Sequence, residues 1–240
     1  MSTLHDKRYQ LFGYYFSLFD CLLVVLGLYG VLMFPLERWI GFGVLILAVV
    51  IHEVAHGWVA YRLGDPTAKT EGRLSLNPLV HVDPLGTVIL PLILVVSGAP
   101  FLFGWAKPVP VVPRYFKQPI VGMMWVALAG PAVNVMMAWG CAVGVRSMVL
   151  GQGVPFDNLM VQALYGAMVI NLVLAIFNMS PSPPLDGSRV VTVFLPAAAR
   201  RLWFQLERYG LFIVMAGVYF GLFDGVLNRS LTFFLTLFFN

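Results

Sequence analysis

Charged side chains are scarce in this chain: they make up 11% of its 240 residues, whereas soluble globular domains carry about 25%. So few charges cannot build a water-exposed surface, so the composition excludes an ordinary soluble domain and indicates a largely lipid environment. No cluster of basic residues with interleaved aromatics is present, which argues against nucleic-acid binding. Repeats and flexible linkers are also missing from the sequence, so one integral domain over residues 1–240 is expected. The only two cysteines, Cys21 and Cys141, lie in apolar stretches and are expected to be buried thiols.

The sequence contains long uncharged stretches at residues 21–36, 84–106, 118–145 and 158–185. A membrane-spanning helix needs roughly 20 apolar residues, so at least three of these are long enough to cross. We predict helices over residues 11–36, 39–63, 120–145 and 158–178, a short helix from Asp186, and a last apolar region from Tyr209. The expected fold class is an all-α integral membrane protein with about five to six transmembrane helices.

The region between the second and third predicted spans is broken by proline and glycine. Residues 107–118 alternate proline with valine, which predicts a short extended or β stretch. If residues 84–106 re-enter the membrane and return, twelve basic residues share one face and only Arg38, Arg146 and Arg229 lie opposite. A full crossing would remove most of this asymmetry. The positive-inside rule therefore favours a re-entrant segment and a cytoplasmic N-terminus.

One motif in the second predicted helix carries chemistry. His52-Glu53-Val54-Ala55-His56 places two imidazoles four residues apart, on one helix face and about 5–6 Å from each other, where they can bind one metal ion. Zinc suits neutral imidazole, and Glu53 is placed to act as a general base. The alternative is a chance match or a pair of structural histidines. The apolar run before His52 puts these groups at bilayer depth, where ionisable residues are costly and usually functional.

A catalytic zinc usually takes three protein ligands, so a third ligand is expected in addition to the two histidines. Asp186 follows the proline-rich run from Asn178 to Leu185, which cannot form regular helix and so would present this carboxylate to another helix. A cytoplasmic turn with Asp186 as a helix cap is the alternative. Asp20 and Asp224 have no comparable break beside them.

These two motifs together resemble the site-2 protease family of intramembrane zinc metalloproteases. The chain also has Gly64-Asp65-Pro66-Thr67-Ala68, Gly72-Arg73-Leu74-Ser75-Leu76-Asn77-Pro78 and Gly104-Trp105-Ala106-Lys107-Pro108, which are similar to small prokaryotic members without PDZ or CBS domains. The resemblance implies one zinc per chain held by His52, His56 and Asp186, with Glu53 as base. It also implies an integral protein of a prokaryotic cell membrane that hydrolyses peptide bonds in or near transmembrane segments of other proteins.

Other polar residues have open roles. Asn134 and Asn178 are candidates to hold a substrate carbonyl or strand. The simpler alternative is that each makes a helix–helix hydrogen bond. His81 and Asp83 could bind a second ion, but loop-fixing hydrogen bonds are the simpler interpretation.

Two rival functions remain. A metal transporter or sensor usually shows matching broken helices in two halves, and no such repeat is visible here. An inactive scaffold would not need an intact Glu53. The sequence leaves the substrate and the oligomeric state undetermined.

Overall fold

The computed structural model describes residues 8–11, 14–17, 36–97 and 103–239. Contacts divide the chain into two compact units, residues 1–40 and 41–240. A two-stranded antiparallel hairpin, β1 (Arg8–Leu11) and β2 (Tyr14–Ser17), pairs Arg8 with Ser17. The helices are α1 (Leu36–Arg62), α2 (Thr67–Thr70), α3 (Leu90–Val96), α4 (Pro119–Arg146), α5 (Leu159–Asn178), α6 (Asp186–Val191), α7 (Ala197–Glu207), α8 (Gly210–Tyr219) and α9 (Asp224–Phe239).

Among the described residues, three helices are long and apolar enough to cross a membrane: α1, α5, and α4 with its π-helical extension to Gly151. The apolar pair α8 and α9 makes a fourth candidate if it is one broken span, since the two helices meet at a bend of 77°. The predicted total of five to six spans stays a prediction. The predicted helix from Leu11 is wrong at its start, because Leu11 and Tyr14–Ser17 lie in paired strands. Residues 12–13 and 18–35 of that helix lie outside the described residues.

The apolar core of the larger unit lies between α4, α5 and α9. Ala138 and Ala142 of α4 pack against Met168 and Leu172 of α5, and the apolar side chains of α9 cover this cluster. Small residues on α4 let the two long helices approach closely, as is common between membrane helices. Asn158 caps the first turn of α5 by accepting a hydrogen bond from the Met160 N–H. Helices α4 and α5 therefore form a packed pair, and α1 and α6 lie against it.

Residues 105–107 lie beside residues 81–86. The first part of this region forms a 3₁₀ turn (Pro78–His81), a π-helical turn (Pro84–Ile89) and α3. Residues 103–112, here called the return segment, come back beside them: Trp105 N–H donates to Gly86 O (3.2 Å), and Lys107 N–H donates to His81 O (2.8 Å). Adjacent ends are what a re-entrant segment requires, and re-entry itself stays a prediction.

The return segment forms neither helix nor strand within the described residues, although Val112 has extended backbone (φ −115°, ψ 98°). A 3₁₀ turn at Pro113–Tyr115 then leads to α4. The predicted extended or β stretch over residues 107–118 therefore has no paired partner here and stays a prediction.

Candidate metal centre

The two histidines of α1 share one buried face. His52 and His56 are 6% and 8% exposed, and their ring centroids lie 4.6 Å apart. Gly130 of α4 lies directly against both rings: a Cβ at this position would lie 2.5 Å from His52 Cε1 and 2.6 Å from His56 Cε1. Because ordinary non-bonded contacts are about 3.5–4.0 Å, only glycine lets α4 approach the histidine pair this closely.

Each imidazole is oriented through its Nδ1 atom. His56 Nδ1 lies 2.7 Å from the Val126 carbonyl oxygen, and His52 Nδ1 lies 2.6 Å from Asn134 Oδ1. Both partners are acceptors, so both Nδ1 atoms carry the hydrogen and donate it. In neutral imidazole this leaves each Nε2 with a free lone pair, which is the form that binds a metal.

Asp186 brings the third candidate ligand to the histidines. It is the first residue of α6, directly after the non-helical segment 179–185, and its Oδ2 atom lies 3.2 Å from His52 Nε2 and 3.3 Å from His56 Nε2. This Oδ2 atom is buried and has no hydrogen-bond partner. The three side chains predicted to form the site therefore come from two elements of the chain: α1 carries both histidines, and α6, directly after the non-helical break, carries Asp186.

These atoms fit a zinc ion. Tetrahedral zinc with ligand bonds of about 2.0–2.2 Å separates its ligands by about 3.3–3.6 Å, close to the two observed separations. With both Nδ1 atoms donating, neutral imidazoles present their Nε2 lone pairs toward Asp186 Oδ2, so the three atoms could hold one metal ion between them. Within the described residues, His52, His56 and Asp186 are the group of side chains that could hold a metal ion.

Glu53 lies beside this group without belonging to it. Its Oε2 atom accepts a hydrogen bond from the Val109 N–H of the return segment at 3.0 Å. Gly57, one turn further along α1, permits this contact, because a Cβ there would lie 2.9 Å from Val109 Cγ1. One oxygen of the carboxylate is therefore held by this hydrogen bond, and the other has no hydrogen-bond partner within the described residues.

A cavity of about 710 Å³ opens onto these side chains, and its lining is mostly apolar. Glu53 and Asp186 lie on its wall with Trp105, Val109 and Val111 of the return segment. An apolar cavity with a few convergent polar groups is typical of a ligand site. Its size admits a short stretch of unfolded peptide.

The two candidate asparagines occupy different places. Asn178 lines the cavity, and its Nδ2 donates to Leu174 O at 3.0 Å. Asn134 is fully buried, is not part of the cavity lining, and lies behind His52. Sequence reasoning did not identify Asn171, which accepts a hydrogen bond from Asn134 Nδ2 at 2.9 Å. An amide within an apolar helix was the available signal for Asn171.

The loop before the return segment holds that segment in position. Asp65 accepts hydrogen bonds from the Thr67 hydroxyl and N–H and from the Val112 N–H. Burial alone would raise the pKa of Asp65, but these hydrogen bonds, with the charge of Arg114, outweigh it and hold the pKa below its ordinary value. Arg73 is also buried, and its Nη2 donates to Lys107 O (2.6 Å) and Pro108 O (3.3 Å).

His81 and Asp83 make hydrogen bonds within their loop. His81 Nε2 donates to Ser75 O at 2.9 Å, and Asp83 Oδ1 accepts the Gly86 N–H at 2.7 Å. Both contacts agree with the interpretation that His81 and Asp83 fix their loop by hydrogen bonds. Asp224 is the exposed first residue of α9, and Asp20 lies outside the described residues.

In comparisons with known proteins, this chain matches a peptidase family and proteins named as putative zinc metalloproteases. The sequence profile of peptidase family M50 matches residues 149–222. A Bacillus subtilis (strain 168) protein named "Putative zinc metalloprotease YwhC" is 38% identical over 177 residues, which cover 71% of this chain and 76% of that protein. Proteins named "Putative zinc metalloprotease Rip2" match from Mycolicibacterium smegmatis (24% identity, 78% of this chain and 66% of that protein) and Mycobacterium tuberculosis H37Rv (25%, 83% and 77%). No solved structure gives a significant match.

Proposed function

Because the chain belongs to peptidase family M50, and is therefore a membrane zinc metalloprotease, we propose that it hydrolyses peptide bonds in or near transmembrane segments of other proteins. In this proposal His52, His56 and Asp186 hold one zinc ion per chain, and Glu53 is the general base. The observation that carries it is the convergence of His52 Nε2, His56 Nε2 and Asp186 Oδ2 beside Glu53, at the wall of one apolar cavity. The bilayer surrounds the enzyme, and the substrate is a membrane protein.

Zinc, when bound, would supply a Lewis acid that lowers the pKa of a water molecule and polarises the scissile carbonyl. Glu53 takes a proton from the attacking water and transfers it to the nitrogen of the leaving amine. The Val109 N–H fixes Oε2, so the other oxygen of Glu53 is the one available for proton transfer. Water has to reach this base from the cavity, because the surrounding helices are apolar.

Asn178 is proposed to steady the substrate carbonyl. It lines the cavity, and one hydrogen of its Nδ2 is used on Leu174 O, which leaves the second hydrogen for a substrate oxygen. Removing one donor of this kind lowers kcat by about 10²–10³-fold in other hydrolases. An Asn178→Ala chain that cleaves at the wild-type rate would exclude the role.

Glu53→Gln tests the central proposal. Glutamine preserves the shape of the side chain but cannot take up a proton, so we expect unchanged zinc content and loss of proteolysis. The assay is cleavage of a model transmembrane substrate by the purified full chain in lipid vesicles, with zinc measured by mass spectrometry. Glu71→Gln is the matched control, because Glu71 is exposed and distant in sequence from the site. A wild-type chain that transports or binds metal without any proteolysis would favour the transporter or sensor alternatives.

The return segment is proposed to bind the substrate in extended form, by strand addition. Strand addition requires extended backbone, in which successive N–H groups point to opposite sides, so the proposed pairing would put the N–H of Val111 on the same side as that of Val109. Val111 lines the cavity, and within the described residues its N–H has no hydrogen-bond partner. In such a strand Pro108 and Pro110, which lack an N–H, would occupy the alternate positions that face away from the substrate. The segment therefore keeps a free donor on the side where the substrate would pair.

Val111→Pro tests strand addition. It removes the free N–H without touching the hydrogen bonds of Val109 and Val112, so we expect a raised KM for the transmembrane substrate with zinc content unchanged. Val111→Ala trims the side chain but keeps the N–H, and it serves as the control. Equal cleavage by both variants would reject strand pairing at this position. Val109→Pro is a poorer test, because it also removes the hydrogen bond to Glu53.

A cytoplasmic N-terminus and a re-entrant segment complete the proposal. The basic residues support them, since re-entry places twelve on one face and three on the other. Cysteine labelling of intact cells at the exposed position of Glu71 checks the orientation, because a membrane-impermeant reagent should leave a cysteine there unmodified. Modification from outside the cell would reverse the assignment.

A further inference from the structure

Three side chains form a hydrogen-bonded line through the buried interior, behind the candidate metal centre. His52 Nδ1 lies 2.6 Å from Asn134 Oδ1, Asn134 Nδ2 donates to Asn171 Oδ1 at 2.9 Å, and Asn171 Nδ2 donates to Ala167 O at 2.9 Å. The three side chains come from α1, α4 and α5. Asn134 and Asn171 are 0% and 1% exposed.

The carbonyl oxygen of Ala167, at the end of the line furthest from His52, determines which group donates in each of these hydrogen bonds. A backbone carbonyl such as Ala167 O can only accept, so Asn171 must present its NH₂ group to it and its oxygen to Asn134. Asn134 must then present its NH₂ group to Asn171 and its oxygen to His52. The Nδ1 atom of His52 is consequently the protonated one, and the Nε2 lone pair points to Asp186.

Reversing this order is costly at such a depth. If one amide turned over, oxygen would face oxygen, or NH₂ would face N–H, and buried polar groups would lose their partners. Each such loss costs about 1–3 kcal/mol for a buried group. The line therefore selects one tautomer and one ring orientation of His52.

We propose that Asn134 and Asn171 are positioning residues for the metal centre: they hold His52 in the Nε2-ligating form and do not contact the substrate. The proposal rests on the zinc site described above. Its geometric basis is independent of Glu53 and of the cavity, because Asn134 is fully buried and is not part of the cavity wall. His56 needs no such line, because a backbone carbonyl, Val126 O, accepts from its Nδ1 directly.

Zinc affinity of the full chain, measured in detergent by competition with a chelator, tests the proposal. Asn134→Leu removes the acceptor for His52, and loss of a partner of this kind typically weakens metal binding 10–100-fold. Asn134→Asp keeps an acceptor for His52 Nδ1 but loses the donor to Asn171 Oδ1, so its zinc affinity should lie between those of the wild type and Asn134→Leu. Asn228→Leu makes the same chemical change at an exposed position on α9 and should have no effect.

A second readout follows the tautomer itself. The chain has four histidines, so nitrogen NMR of a ¹⁵N-histidine-labelled, zinc-free sample can distinguish Nδ1–H from Nε2–H forms. We expect Nδ1 of His52 to carry a hydrogen throughout the wild-type population, and part of the Asn134→Leu population to lack it. If Asn134→Leu does not fold, Asn171→Leu takes its place, because it removes the acceptor for the Asn134 NH₂ group and frees that amide to turn.

The failure of this inference differs from the failure of the proposed function. A wild-type chain that does not bind zinc would overturn the proposed function. A wild-type chain that binds zinc, with a folded Asn134→Leu variant of equal zinc affinity and unchanged histidine tautomer, would overturn the positioning role alone.

Discussion

Gly130→Ala should disable the metal centre without touching any ligand. The new methyl group would lie 2.5 Å from His52 Cε1, 2.6 Å from His52 Nε2 and 2.6 Å from His56 Cε1. Relief to an ordinary contact of about 3.5 Å requires a shift of about 1 Å, either of α4 or of the two rings. Zinc–ligand distances tolerate only about 0.2 Å, so a shift of this size breaks the arrangement of the three ligand atoms.

The size of the effect follows from the cost of overpacking. Inserting a methyl group into a filled site costs about 1–3 kcal/mol. If this cost destabilises the zinc-bound state alone, the affinity for zinc decreases by about 5–150-fold, since about 1.4 kcal/mol corresponds to a factor of ten. Proteolysis should fall at least in proportion, because the same rings and the neighbouring Glu53 are displaced.

Gly140→Ala on the same helix is the matched control. A Cβ at Gly140 meets no other atom within 4 Å, so this change should leave zinc binding intact and even favour helix α4 slightly. The assay measures zinc affinity, thermal unfolding and substrate cleavage for both variants in the same detergent. Equal zinc affinity in the two alanine variants would refute the close approach of α4 to the histidine pair.

Two further predictions concern the side chains that hold the return segment. Asp65→Asn places an NH₂ group against the Val112 N–H and should cost about 1–3 kcal/mol of stability at neutral pH. Because the folded-state pKa of Asp65 is lowered, its stabilisation is present above the unfolded pKa of about 3.9 and is lost as the pH falls through the folded pKa. Unfolding measured from pH 7 to pH 3 should therefore show the wild type and the variant converging, and a constant difference would contradict this account. Arg73→Met removes the donor to two carbonyls of the return segment, so cleavage should fall while zinc stays bound, and zinc loss in this variant would show that Arg73 supports the metal centre instead.

The elements that carry the proposed zinc ligands could be predicted from the sequence because their signals are local. The histidine spacing places both rings on one face of any helix, and the apolar run before His52 makes that helix long. The prolines before Asp186 forbid helix, whatever the rest of the chain does. The predicted spans at 39–63, 120–145 and 158–178 agree with α1, α4 and α5 to within three residues.

Elements without a strong local signal were predicted less well. Leu11, the last residue of β1, and the strand Tyr14–Ser17 lie where apolar composition indicated helix, because composition does not distinguish a short apolar strand from the start of a helix. The bend of 77° between α8 and α9 was also not predicted. Helix α7 was missed because its charged, amphipathic sequence has no long apolar run.

By itself, the sequence determined which residue types are available at bilayer depth and at what helical spacing: two imidazoles with a glutamate between them, and one carboxylate after a proline break. Only the tertiary structure decided what surrounds them. Asn134 and Asn171 orient His52, Gly130 brings α4 against both rings, and the Val109 N–H ties one oxygen of Glu53. The reason is physical: spacing along a helix sets the direction of a side chain, whereas hydrogen-bond partners and close approaches depend on how separate helices pack.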